Sequence, residues 1–168
     1  MKRIKVINEP TELVPMFRAV DTKVKRDVLK EVTADWCTMA QIEEKFGEEG
    51  KDALIFFEKM KLVESMWQTG RDKSQEKTYH SYYVSFHINT SCPVHEISDV
   101  LAIAIMDDKS FTNLEDKILK LIGENGKFAG DVCEELELTT TMLKSIVKRS
   151  IKLEYRGHRI DPVKEEED

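Results

Sequence analysis

Between residues 139 and 159 the chain gathers side chains able to grip a polyanion. Lys144, Lys148, Arg149, Lys152, Arg156 and Arg159 stand against a single acid, Glu154, and three threonines, Thr139, Thr140 and Thr141, precede them. Threonines at a helix start satisfy free backbone N–H groups and are placed to donate to phosphate. On this reading Thr140, Thr141, Lys144 and Ser145 approach base edges, with Lys148 and Arg149 further along the polar side. Arg156 and Arg159 bracket Gly157 at the tip of a tight hairpin, where they reach a minor groove or flanking phosphates. A second set, Lys51, Arg71, Lys73 and Lys77, lies in the corresponding part of the first half of the chain. There Glu48, Glu49 and Asp52 occupy the reading positions, and six basic residues face seven acidic ones over 48–77, a poor footprint for a phosphate backbone.

His87, Cys92 and His95 form the other chemically capable group. Two imidazoles and a thiol within ten residues, with Glu96 and Asp99 following, are suitable donors for a divalent metal such as zinc. The competing reading gives Ser91 or Cys92 the role of helix cap with Pro93 at the first helical position, and leaves His87 on the outer face of a strand. Cys37, Cys92 and Cys133 are odd in number and none belongs to a CxxC pair, which argues against a disulfide framework or a four-cysteine zinc site. The motifs GxxxxGK[ST], GxSxG and HExxH are absent, and acid pairs such as Glu43-Glu44 and Glu134-Glu135 fit solvated helix faces, so an enzyme is not expected.

The elements that carry these residues occur twice. Val28, Leu29, Val32, Ile42, Phe46, Leu54, Phe57 and Leu62 recur as Ile118, Leu119, Ile122, Val132, Leu136, Leu143, Ile146 and Ile151, at an offset of 90 that drops to 89. Each copy reads as an apolar helix, a turn, two short helices and a strand pair. The expected fold is mainly α with small β hairpins, an α+β tandem winged helix-turn-helix. The first winged-helix domain spans 1–90, a linking and dimerisation helix 91–110, a second winged-helix domain 111–161 and an acidic disordered tail 162–168. In the first copy, helices are expected from Pro10 through Val20, after a Thr22 cap, over 38–46 closed by Gly47, and over 51–60; strands follow over 62–67 and 77–89. In the second, helices are expected over 114–122, 128–136 and after Thr139, with a hairpin over 151–160.

Phe17-Arg18-Ala19-Val20-Asp21, Val28-Leu29-Lys30-Glu31-Val32, Met39-Ala40-Gln41-Ile42 and Leu62-Val63 resemble the ArsR-type winged-helix repressors. The resemblance implies a homodimer that represses transcription from double-stranded DNA until an inducer binds. It also implies pairing through the first helix and the helix after the wing, the latter here 93–106, whose Val94, Ile97, Val100, Leu101, Ile103, Ala104 and Ile105 are more apolar than a one-sided surface helix requires. The family often senses metals, but its thiolate pair on the third helix is missing here, where only Cys37 lies nearby and Met39 offers no anionic sulfur.

A net charge of −6 opposes nucleic-acid binding in sum, yet residues 1–90 carry 15 basic and 15 acidic side chains, so the excess of acid lies in the second half, partly in Glu165-Glu166-Glu167-Asp168. No apolar run approaches the ~18 residues of a membrane span, and the N-terminus lacks signal-peptide character, so a cytoplasmic protein is expected. A winged-helix protein-protein interaction module without DNA binding is the alternative.

Overall fold

The computed structural model describes residues 3–70 and 73–164, so Arg71 and the acidic end at 165–168 lie outside the described residues. The chain divides into two compact units, one of Met1–Ile7 with Met16–Asn89 and one of Asn8–Pro15 with Thr90–Asp168. Both are helical with small sheets.

In the first unit, β1 (Ile4–Ile7) pairs in parallel with a strand more than 70 residues away; the short 3-10 turn at Pro10–Glu12 that follows, and the start of α1 (Leu13–Ala19), belong to the second unit. The unit boundary falls inside α1, whose Val14 packs with Val100 and Ala104 of the second unit's own cluster. α2 (Lys23–Ala34) starts where Thr22 accepts a hydrogen bond from the Lys25 N–H, as a threonine cap should. After β2 (Cys37–Thr38) comes α3 (Met39–Lys59), opened by a reciprocal cap between Thr38 and Gln41. Gly47, at φ 71° and ψ −164°, breaks α3 into two helices, a conformation that glycine adopts without steric cost. The second half resumes at once rather than at Lys51. β3 (Val63–Thr69) and β4 (Gln75–Ser81) then form a hairpin in a sheet of order β2-β4-β3.

The expected strand over 77–89 is two strands. Ser81 donates its hydroxyl hydrogen to the Tyr83 carbonyl, the chain turns, and β5 (Ser85–Ile88) leaves the hairpin to pair with β1, Ile4 opposite Ser85 and Ile7 opposite Ile88. Nothing local in the sequence marks a parallel partner at that separation.

The second unit repeats the plan. α4 (Val94–Ile105) is followed by α5 (Asp108–Ile122), which begins a turn and a half earlier than Leu114 because Asp107 accepts from the Ser110 N–H and caps it. Then come β6 (Lys127–Phe128), α6 (Ala129–Glu135), α7 (Thr140–Arg149) and the hairpin of β7 (Leu153–Arg156) and β8 (Arg159–Pro162), in a sheet of order β6-β8-β7. That order matches β2-β4-β3 strand for strand. Glu137 sits between α6 and α7 at φ 54°, 90 residues after Gly47, so both units make their turn with a left-handed residue at the same place.

The repeated apolar residues are repeated in burial. Val28, Val32, Ile42, Leu54 and Phe57 form one core, and Ile118, Ile122, Val132, Leu143 and Ile146 the other. Burial of each such side chain contributes roughly 1.5 to 3 kcal/mol. The exception is the last pair: Leu62 is buried but Ile151 is 43% exposed, and Leu153 fills that end of the second core instead. Among the described residues no helix is long and apolar enough to cross a membrane.

Candidate nucleic-acid interface

Two sides of α7 are already used by its own unit. Leu143, Ile146 and Val147 enter the core with α5, α6 and the hairpin, and α4 and the 3-10 turn at Pro10–Glu12 pack along another side. Thr139 caps the helix by accepting from the Met142 N–H, and donates its own hydroxyl hydrogen to Asp99 of α4 at 2.8 Å. What remains in solvent is a stripe at every fourth residue, Thr140, Lys144 and Lys148, with Thr141 half-buried beside it.

Two residues expected on that surface are not there. Ser145 is 0% exposed and donates to the Thr141 carbonyl one turn back. The Arg149 side chain is only 3% exposed and is spent inside the unit: it donates to the Ile103 carbonyl at 2.8 Å, the Met106 carbonyl at 2.7 Å and the Asp108 carboxylate at 2.9 Å, and lies 4.2 Å over the Phe111 ring. A buried guanidinium needs that many acceptors to offset its desolvation. Its charge ties the end of α4 to the start of α5 and is not available to a phosphate.

The β7–β8 hairpin turns at Gly157, at φ 63°, and holds Arg156, His158 and Arg159 exposed around it. Both arginines have neighbours that the sequence did not indicate. Arg156 donates to Glu154 at 2.9 Å and has Asp161 3.7 Å away; Arg159 donates to the Asn125 carbonyl at 2.8 Å and has Asp161 at 4.0 Å. Gly126, at φ 70°, lets Asp161 come this close, since a Cβ there would stand 1.7 Å from the Asp161 Oδ1. The arginines of these pairs are about half exposed and their acids half-buried, so each pair is partly screened and worth about 1 kcal/mol.

The matching surface of the first unit has the opposite character. The second half of α3 exposes Glu48, Glu49, Asp52 and Ile55, and Lys51 is half-buried with Glu48 3.6 Å from its Nζ. Lys77 is bound by Glu58 at 2.7 Å, which raises its pKa through that hydrogen bond, and Lys73 is exposed beyond the strand end at φ 67°.

His87, Cys92 and His95 lie on either side of the boundary between the two units. His87 is exposed on β5 in the first unit, whereas Cys92 and His95 belong to the second, half-buried before α4 and exposed in its first turn. Among the described residues no group of three or more His, Cys, Asp or Glu side chains is arranged to hold a metal ion. Pro93 rather than Ser91 or Cys92 is the residue preceding α4, and no side chain caps that helix. Cys37 is buried, and burial, reinforced by Glu31 and Asp35, pushes its thiol above the ordinary range, so it is held as the neutral thiol.

α4 itself has one buried and one bare face. Val100, Ile103 and Ala104 are buried, while Val94 (83% exposed), Ser98, Leu101 and Ile105 (81%) line the other side at spacings of four, three and four residues. That is the spacing of a seam between two helices.

A search of curated proteins found no match to the chain. The family model for the ArsR transcriptional regulator matches residues 7–164, which takes in both units and nearly the whole length. A family of regulators, rather than of enzymes, also agrees with the absence of the catalytic motifs named above. The chain belongs to the ArsR family of transcriptional regulators.

Proposed function

We propose that both units are winged helices and that the protein is a homodimeric repressor which grips duplex DNA through its second unit. α7 is the reading helix and the β7–β8 hairpin the wing. The observation that carries this reading is the solvent stripe Thr140, Lys144 and Lys148, which contains no acid, in the same unit as the exposed Arg156 and Arg159. Lys144, Lys148 and the two arginines contact phosphate, and Thr140 and Thr141 lie at the helix N-terminus, where the free N–H groups favour an anion.

The exposed stripe of α4 pairs with its copy in a second chain. Because α4 packs on α7 and is tied to it by Thr139–Asp99 and by Arg149, pairing fixes the separation of two reading helices, suited to half-sites about 34 Å apart. A ligand or metal that altered this pairing would change the separation and so release the DNA.

The test is titration of purified protein against a fluorescent fragment from upstream of its own gene, with random duplex as competitor, at two salt concentrations. Saturable, salt-sensitive binding that survives the competitor supports the proposal. No binding at low salt rejects it in favour of a protein-interaction module.

A further inference from the structure

Phe128 occupies a position that neither capping nor packing explains. It is the residue preceding α6, and its side chain makes no cap hydrogen bond. The first unit puts Thr38 at the same place, 90 residues earlier, where it accepts from the Gln41 N–H and caps α3. A phenyl group forgoes that bond. It does not enter the core in exchange: Phe128 is 49% exposed, while the unit's other phenyl and phenol rings, Phe111 and Tyr155, pack into the second core.

The register of the β6-β8-β7 sheet shows what shares its face. Tyr155 lies opposite Ile160 and both join the core, so their neighbours Arg156 and Arg159, themselves a directly opposed pair, are on the outer face. Phe128 lies opposite Arg159 from the other side and continues the row. A line of two guanidiniums and a phenyl thus crosses the wing, with Glu154 and Asp161 one step back from the tip. The tip is fastened to the phenyl end of this row: the Ala129 N–H donates to the His158 carbonyl at 2.8 Å, and the His158 ring is 6.3 Å from the Phe128 ring. Gly130 leaves room for the phenyl on α6, since a Cβ there would stand 3.1 Å from the Phe128 Cε1.

We infer that the Phe128 ring, with His158 beside it, packs against deoxyribose carbons of the duplex that the wing engages. Guanidiniums suffice for phosphate, and a phenyl gains nothing from an anion. The apolar surface that duplex DNA offers to such a row is the sugar wall of a groove. The inference rests on the reading that the second unit holds DNA, and adds to it a contact whose strength does not come from charge. It also accounts for the missing cap, because a local preference given up at an exposed position is a mark of function.

The test uses Phe128→Thr, which restores the cap of the first unit, and Phe128→Leu, which keeps an apolar side chain, both in the full-length protein. Phe128→Thr should unfold in urea at a midpoint no lower than wild type, yet bind duplex about tenfold more weakly, the order expected for a half-exposed phenyl leaving water. Its log-log salt slope should be unchanged, because no phosphate contact is lost. Hydroxyl-radical footprinting, which attacks deoxyribose C–H bonds, should show protection lost at the sugars beside the wing, and Phe128→Leu should keep most of both affinity and protection. Equal affinity and footprint, or a flattened slope, in Phe128→Thr overturns the inference. A lower urea midpoint overturns it by assigning the ring to the fold, and weaker self-association in sedimentation equilibrium overturns it by assigning the ring to a second copy. Wild type that fails to bind duplex rejects the DNA reading as well, whereas wild-type binding that Phe128→Thr leaves intact rejects this inference alone.

Discussion

Replacing Arg149 by Met should damage the fold of the second unit rather than any contact with phosphate. Methionine keeps much of the aliphatic volume but strands the carbonyls of Ile103 and Met106, which now accept at 2.8 and 2.7 Å. The Ile103 bond is buried and its loss costs about 2 kcal/mol; the Met106 bond is partly buried and costs about 1 kcal/mol, because water can take over in part. Asp108 adds little, since its carboxylate side chain is 85% exposed and rehydrates when freed. The sum is about 3 kcal/mol, and Arg149→Lys, whose ammonium has donors for both carbonyls but a different reach and no second nitrogen for Asp108, should lose about half of that. The distribution of chromophores makes the assay selective. Trp36 and Trp67 are both in the first unit, and Tyr155 is the second unit's only tyrosine. In urea, far-UV circular dichroism should show an early loss of helix in Arg149→Met, with a midpoint about 2 to 3 M lower, while tryptophan fluorescence keeps its wild-type transition. A variant that unfolds like wild type yet binds DNA more weakly, with a shallower salt dependence, would refute this reasoning and return Arg149 to the DNA surface.

Three other substitutions have defined outcomes. Leu101→Glu puts an unpaired charge in the exposed stripe of α4 and should weaken self-association by about 100-fold with little change in monomer stability, read by sedimentation equilibrium; an unchanged dimer would mean that the stripe is not the seam. Tyr155 is half-buried, its hydroxyl oxygen is buried and lacks a hydrogen-bond partner among the described residues, and burial pushes its phenol up to about 12 from an ordinary value of 10.0. The folded chain thus holds that proton more tightly than the unfolded chain, so this contribution is complete below pH 10 and is lost as pH rises toward 12. Tyr155→Phe should remove that alkaline loss and raise stability near neutral pH by about 1 kcal/mol, and a denaturant titration at both pH values checks it. Glu137→Gly should stabilise the second unit by roughly 0.5 to 1 kcal/mol, because glycine takes the φ of 54° without strain; a destabilised variant would show that the Glu137 side chain has a role of its own.

The repeat was legible because it is written in apolar spacing, and spacing is what a helix face needs. Val28 through Phe57 and Ile118 through Ile146 therefore predict two cores with the correct members, and Thr22, Thr38 and Thr139 mark helix starts through a hydrogen bond that only a few residue types can make. Pairing across long separations was not legible. β1 and β5 meet in parallel, and β2 and β6 are two residues each, too short for any periodicity. The surface was half legible for a related reason. Charge density located the basic region at 139–159, but whether a polar residue on α7 faces solvent depends on what packs there. With α4 and the 3-10 turn both on α7, Ser145 and Arg149 turn inward and the reading face narrows to one stripe. The acids beside the arginines, Glu154 and Asp161, are brought together by the β7–β8 register, and Gly126 leaves room for the second of them.

The most direct measurement is the salt dependence of DNA affinity for wild type and for the variant Lys144→Ala/Lys148→Ala/Arg156→Ala/Arg159→Ala, whose four positions are all exposed. Each phosphate contact removed should flatten the log-log slope by about 0.9, so the variant should bind more weakly with a slope reduced by up to about 3.6. A slope and affinity equal to those of wild type would contradict the claim that the second unit of this regulator holds the DNA.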